Sequence, residues 1–177
     1  MEQRGCKVAF LLADGYEDSE MKHPFEAITK YGHEAVIIGL EKEQELQGKQ
    51  GTITYTTHLS INEASADDYD AIVIPGGRSP ENLMENDQIL DFLLQANEKE
   101  ITISAICHGP LLLSEAGLVQ GRNFTSYSGV AEKIAEQGGV YSDQPVVVDR
   151  NFVTSRGPHD EPDFIGETLR KLGHSAN

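Results

Sequence analysis

The stretch Ile101-Thr102-Ile103-Ser104-Ala105-Ile106-Cys107-His108-Gly109-Pro110 decides how this 177-residue chain is read. Its first six residues form a short, largely apolar run with β-branched side chains, of the kind that fills a parallel sheet. Pro110 suits the first turn of a helix, where its missing N–H loses no partner and its φ is already helical. Cys107 therefore falls in the turn between a buried strand and a helix. Backbone N–H groups and the positive end of the helix dipole favour a thiolate there, and the thiolate is the reactive form. A free cysteine can also be a small core hydrophobe. A packing cysteine belongs inside the strand, however, whereas this one is followed at once by His-Gly-Pro.

Outward from this turn the chain alternates. Residues 7–13 read as a strand, 14–18 as a turn, and Met21, Phe25 and Ile28 fall on one face of a helix that Gly32 ends. Residues 34–39 form a second strand. A polar stretch over 41–50 leads into 52–57, whose alternation suits an edge or hairpin strand. Residues 70–74 are a buried strand that breaks at Pro75-Gly76-Gly77. Leu83, Ile89, Phe92, Leu93 and Leu94 then supply the apolar face of one or two helices before the strand that ends at Cys107. After a helix over 110–116 come an extended piece at 123–125, a helix over 130–137 and a strand pair at 146–148 and 152–154. A terminal helix carrying Phe164, Ile165, Leu169 and Leu172 closes the chain. This order predicts a single α/β domain over 4–174, doubly wound, with a mostly parallel central sheet and helices on both faces.

Composition narrows the partners. Lys and Arg number 14 against 29 for Asp and Glu, a net charge of −15, and no basic cluster interrupts it. A phosphate backbone would be repelled, so nucleic acid is not an expected partner. The apolar run at 8–13 is too short for a signal core or a membrane span, which gives a cytoplasmic protein with no membrane partner as the expectation. The two cysteines, Cys6 and Cys107, are read as separate thiols, Cys6 as incidental. Neither His-Glu-x-x-His nor Cys-x-x-Cys occurs, and the other histidines show no ligand spacing, so no metal and no cofactor is expected. The absence of Gly-x-Ser-x-Gly sets a serine hydrolase aside.

Ligands of doubly wound sheets bind at the carboxyl ends of the strands, which gathers the remaining candidates. Glu17 follows the first strand. It is either a carboxylate at a helix N-terminus or an acid beside the thiol, where two anions side by side would make it hold its proton. Gly76 and Gly77 are either a tight turn or, with the His108 N–H, an oxyanion hole facing the sulfur. Glu81 reads as the N-cap carboxylate of a helix. His108 adjoins Cys107, so a thiolate–imidazolium pair is available if the two side chains turn toward each other.

Ala105-Ile106-Cys107-His108-Gly109-Pro110, Pro75-Gly76-Gly77-Arg78-Ser79-Pro80-Glu81, Tyr16-Glu17-Asp18 and Val153-Thr154-Ser155-Arg156-Gly157-Pro158 together resemble the PfpI intracellular protease family, in the same order and at comparable spacing over nearly the whole chain. That family belongs to the class I glutamine amidotransferase-like superfamily. The resemblance implies a flavodoxin-like sandwich with Cys107 as nucleophile on a strained elbow, His108 as its partner and Glu17 as the glutamate bonded to the sulfur. It also implies Glu81 as the acid that reaches the histidine of a neighbouring subunit, Gly77 and the His108 N–H as the oxyanion hole, and Tyr127 lining the pocket. Self-association, as a homodimer or a larger assembly up to a hexamer, follows from that triad. Gln50, where the family often has histidine, and His23-Pro24, in place of a common Tyr-Pro, depart from the pattern at the rim.

Three activities fit one site. The first is a stress-related cysteine hydrolase of the PfpI type that cleaves peptides through a thioester. The second is a cofactor-free glyoxalase or deglycase-like enzyme, in which Cys107 adds to a small carbonyl such as methylglyoxal. The third is a redox sensor or chaperone acting through oxidation of Cys107.

Overall fold

Apolar side chains on both faces of consecutive strands bury five parallel strands in one sheet. These are β1 (Lys7–Leu11), β2 (Glu34–Gly39), β6 (Ala71–Ile74), β7 (Thr102–Ile106) and β11 (Phe152–Ser155), in a computed structural model that describes residues 5–174. Arg4, where the domain is expected to begin, lies outside the described residues. The short β5 (Leu59–Ser60) extends one edge and β10 (Val146–Asp149) the other, giving the order β10-β11-β7-β6-β1-β2-β5. All neighbours are parallel except β10 and β11. Taken in chain order, the five long parallel strands lie 2-1-3-4-5, the flavodoxin-like arrangement.

Alternation along each strand divides the core in two. Ala9, Leu11, Ile72, Ile74, Ile103 and Ala105 face one layer, packed on α3 (Asp87–Glu98) and α4 (Pro110–Glu115). Val8, Phe10, Ala71, Val73 and Ile106 face the other, with Met21 and Ile28 of α1 (Asp18–Lys30) and Phe164 and Leu169 of α6 (Glu161–Lys171). Ser104 points to the same side and keeps its hydroxyl satisfied 2.7 Å from Thr168 Oγ1 on α6, as a buried polar group requires. Two helices lie between β6 and β7, α2 (Ser79–Leu83) and α3, and α5 (Ser128–Glu136) follows the short β8 (Asn123–Phe124).

The segment expected as an edge or hairpin strand is β4 (Thr54–Thr56), paired antiparallel with β3 (Glu45–Gln47) apart from the main sheet. β3 lies inside the stretch read as polar, because only Leu46 of its three residues is buried. β8 pairs with β9 (Val140–Tyr141) in a second small ribbon. The late strand pair divides its duties, β11 serving as the fifth parallel strand and β10 as the antiparallel edge. The β3–β4 connection is held over the start of α1 by Asp18, which accepts from the Gln50 N–H at 2.8 Å and from the N–H and hydroxyl of Thr52 at 2.9 and 2.7 Å. Burial works against that carboxylate, but these donors and the Ile53 N–H outweigh it and hold the Asp18 pKa below its ordinary value.

Candidate active site

Cys107 follows the last residue of β7 with φ +64°, in the left-handed region that side chains other than glycine rarely adopt. Both of its backbone groups are fixed. Its N–H donates to Ser155 O at 3.0 Å, at the end of β11, and its C=O accepts from the Tyr127 N–H at 3.0 Å. A non-glycine residue in this conformation persists only where its surroundings over-determine it. Gly109 completes the elbow, since a Cβ there would stand 2.6 Å from Ile74 O and 2.9 Å from both the N and O of Ile106. The elbow lifts the Sγ off the end of the sheet while leaving Cys107 only 9% exposed.

Beside the sulfur lies a carboxyl, and it belongs to Glu20, not to Glu17. Glu17 is the N-cap of α1, and its Oε2 accepts from Gln50 Nε2 at 3.2 Å in an exposed contact. Glu20, one turn further on, points inward and is 0% exposed. Its Oε1 accepts from the Gly76 N–H at 2.8 Å, its Oε2 has no hydrogen-bond partner, and the carboxyl lies beside Cys107, the two meeting at the Gly76 position. Burial, then the charges of Glu17 and Glu161, push its pKa up to about 8, against the pull of the Gly76 N–H. Glu20 is therefore protonated at neutral pH and can donate to sulfur. The Tyr16-Glu17-Asp18 motif put the carboxyl at the wrong end of the first turn because Glu17 and Glu20 are i,i+3 neighbours, and spacing alone does not rank them.

Glu161 was not legible at all in the sequence. It is buried at the start of α6, accepts from Ser19 Oγ at 2.6 Å and pairs through Oε1 with His23 Nδ1. Nothing local in its sequence marks it; only the packing of α6 on α1 brings it there.

The Gly76-Gly77 turn is divided between the two acids. The Gly76 N–H is spent on Glu20, so it is not an oxyanion donor. The N–H groups of Gly77 and His108 are the ones that act on the Cys107 sulfur and favour its thiolate. Burial, followed by the charge of Glu20, pushes the thiol pKa up. The second of these causes vanishes while Glu20 keeps its proton. The thiol and the carboxyl thus titrate as a pair holding at least one proton at neutral pH. Gly76 and Gly77 are both required by space: a Cβ on Gly76 would lie 2.7 Å from Cys107 Cβ, and one on Gly77, at φ +75°, 2.4 Å from Gly15 O.

His108 turns toward the cysteine, with Nδ1 3.3 Å from Sγ. Its ring stacks on Tyr127 with 5.0 Å between centroids, and Tyr127 is 47% exposed, so the pair forms an aromatic wall at the mouth. Burial lowers the His108 pKa, with Glu81 opposing and Lys49 assisting, which leaves a neutral imidazole able to accept a proton. Glu81 sits on α2, exposed and within electrostatic reach of His108 but without a hydrogen bond to it in the described chain. Cys6 is remote, half-buried, with its Sγ 3.9 Å from Leu172 O. Among the described residues no three His, Cys, Asp or Glu side chains are grouped so as to hold a metal ion, and no helix is long and apolar enough to cross a membrane.

Comparison of the whole chain with known proteins places it in a family. The family model described as the DJ-1/PfpI family matches residues 6–171. The chain belongs to the DJ-1/PfpI family. It is 37% identical to Protein/nucleic acid deglycase 2 of Escherichia coli strain K12, over 94% of this chain and 98% of that protein. It is 36% identical to Deglycase PfpI of Pyrococcus furiosus, over 94% of this chain and 99% of that protein. Among solved structures, a two-domain protein of Anabaena variabilis with DJ-1/ThiJ/PfpI-like and ferritin-like domains superposes with a TM-score of 0.94 at 33% identity, covering 96% of this chain and 48% of that one.

Proposed function

We propose that this DJ-1/PfpI member is a cofactor-free enzyme that adds Cys107 to small reactive carbonyls, a glyoxalase or deglycase-like activity on α-oxoaldehydes. The observation that carries this reading is the protonated, fully buried Glu20 against the sulfur. The Cys107 thiolate forms the new C–S bond to the aldehyde carbon, and the alkoxide oxygen of the hemithioacetal takes hydrogen bonds from the Gly77 and His108 N–H groups. Glu20, having released its proton to that oxygen, is then a base for the proton on the same carbon, and returns it to the adjacent carbonyl carbon while the hydroxyl proton passes to the neighbouring oxygen of the enediolate. The result is a thioester of a 2-hydroxy acid. Water cleaves it, with neutral His108 accepting the proton of the attacking water, and the thiol is regenerated. The balance is one α-oxoaldehyde plus one water giving one 2-hydroxy acid, with no external oxidant. Two relatives carry the name deglycase, which supports the deglycase-like side of this reading.

The test is methylglyoxal turnover followed by proton NMR, for wild type, Cys107→Ser and Glu20→Gln. Lactate formed by wild type and lost in both variants is the expected result. Undiminished turnover by Cys107→Ser, or no product from wild type, overturns it. The 3.3 Å approach of His108 Nδ1 to Sγ favours one second reading, a peptidase-like hydrolase in which Glu81 of a neighbouring copy orients the imidazole. Cleavage of a fluorogenic peptide library, lost in Glu81→Gln and accompanied by an oligomer in gel filtration, is the outcome that reading requires.

A further inference from the structure

α1 and α6 lie side by side against one face of the sheet, and each begins at the carboxyl end of the strand before it, the end that carries Cys107. Their first turns hold two buried acids, Glu20 on α1 and Glu161 on α6. Glu161 is bound from α1: Ser19 Oγ donates to its Oε2 at 2.6 Å and His23 Nδ1 to its Oε1. A carboxylate can only accept, which makes Nδ1 the donor. Ser19 and His23 are an i,i+4 pair, so the face of α1 toward α6 carries both donors, while Glu20 turns to the sheet. The His23 side chain is 53% exposed against 6% for Glu161, so this pair joins solvent to the buried acids. His23 is also a departure from the family pattern, in which tyrosine, a group without a positive form, is common at this position.

Asp18 and Glu20 lie two residues apart on α1 and are supported very differently. Asp18 accepts from three backbone N–H groups and a hydroxyl, which fix its charge. Glu20 accepts from the Gly76 N–H alone, and its Oε2 has no hydrogen-bond partner among the described residues. With so little holding the charged form, the Glu20 proton is decided by burial and then by the charges of Glu17 and Glu161. Cys107 faces Glu20 from the elbow, Gly76 from the β6–α2 turn, Glu17 from its own helix and Glu161 from α6. Arg156 does not intervene, because its guanidinium is taken up by Asp160, at 2.9 and 3.1 Å, and by Asp143 at 3.1 Å. Among the described residues His23 is the one cation paired with Glu161. Fields between buried groups are only weakly screened by salt, so a change at His23 reaches Glu20.

We propose that His23 and Glu161 are positioning residues for Glu20: the imidazole on α1 sets how much negative charge Glu161 presents, and so how firmly the acid beside Cys107 holds its proton. With His23 donating, the charge of Glu161 is offset and Glu20 releases its proton more readily. Without that donor, Glu161 stands as an uncompensated anion and Glu20 keeps its proton to higher pH. The assignment rests on the reading of Glu20 as the acid of the site and deepens it, whichever carbonyl is turned over.

Infrared titration of the full chain tests this, following over pH the carboxylic-acid carbonyl band that Glu20→Gln removes. His23→Phe should raise the midpoint of that band by about half a pH unit or more, and Glu161→Gln, which keeps the size and the Ser19 contact, should lower it by a similar amount. In the Glu161→Gln background His23→Phe should have no further effect, since the path between them is cut. A merely structural role for His23 would leave the midpoint in place or move it equally in both backgrounds. Unchanged midpoints in the single variants, a fall in His23→Phe, or an undiminished His23 effect without Glu161 overturns the proposal. Methylglyoxal turnover measured alongside keeps the two readings apart: absence of product from wild type sinks the carbonyl activity while the band still decides the role of His23, and absence of the band at neutral pH sinks both.

Discussion

At the scale of single residues, the protonation of Glu20 governs the sulfur. A protonated carboxyl donates a hydrogen bond to the thiolate, and hydrogen bonds to charged groups are worth about 1.5–3 kcal/mol, roughly one to two pH units. Glu20→Ala should therefore move the midpoint of Cys107 alkylation by iodoacetamide to higher pH by about one unit or more, with mass spectrometry separating Cys107 from Cys6. An unmoved midpoint would show that the two backbone donors suffice alone. The identity of this carboxyl and the role of the Gly76 N–H were both assigned wrongly from sequence. Cys107, His108 and Gly77 were legible because each occupies a turn whose residue types have few other uses. Glu17 and Glu20 share a helix face, and which of them enters the sheet crevice depends on where the first turn of α1 begins.

At the scale of elements, Asp18 fastens the β3–β4 connection to the helix that carries Glu20. It accepts from three separate backbone N–H groups and one hydroxyl. Asp18→Ala should cost about 2–4 kcal/mol in urea unfolding, since it strips partners from several donors at once. Because the folded pKa of Asp18 is lowered, its stabilisation is present above the ordinary carboxylate pKa and is lost as pH falls through the folded value. The wild-type loss of stability in acid should be shallower in Asp18→Asn. The five parallel strands were legible as apolar runs bounded by turns. β4 and β8 were legible as extended segments, but their partners β3 and β9 and the two-residue β5 were not, because they are too short to show a period and owe their pairing to tertiary contacts. Glu161 was hidden for the same reason, its place beside α1 being set by segments far apart in the chain.

At the scale of the whole molecule, two buried groups tilt stability in opposite directions with pH. Glu20 keeps its proton in the folded chain up to about pH 8, whereas the unfolded chain releases it near its ordinary value. Stability should therefore fall as pH rises between these limits, at up to ~1.4 kcal/mol per pH unit, and Glu20→Gln should flatten that slope in urea midpoints. The C-terminal end works the other way. His33 Nδ1 accepts from the Cys6 N–H at 2.8 Å, so its Nε2 carries the proton that it shares with His174 Nε2 at 2.6 Å. Burial and then His174 lower the His33 pKa, with Asp70 opposing. A histidine with a depressed folded pKa loses its stabilising contribution as pH drops below about 6.5, where the unfolded chain takes up the proton first. His174→Ala should weaken that acid-side loss without touching the Glu20 slope. The elbow has one more consequence, concerning the order in which the chain is made. Cys107 owes its left-handed backbone to a bond with Ser155, which is synthesised 48 residues later and reaches it only when β11 docks on β7. A growing or partly folded chain thus exposes an ordinary thiol, free of the strained geometry and donor pair that sharpen it. The reactive centre is among the last features to form, so its labelling rate during refolding should report completion of the sheet and not merely collapse of the core.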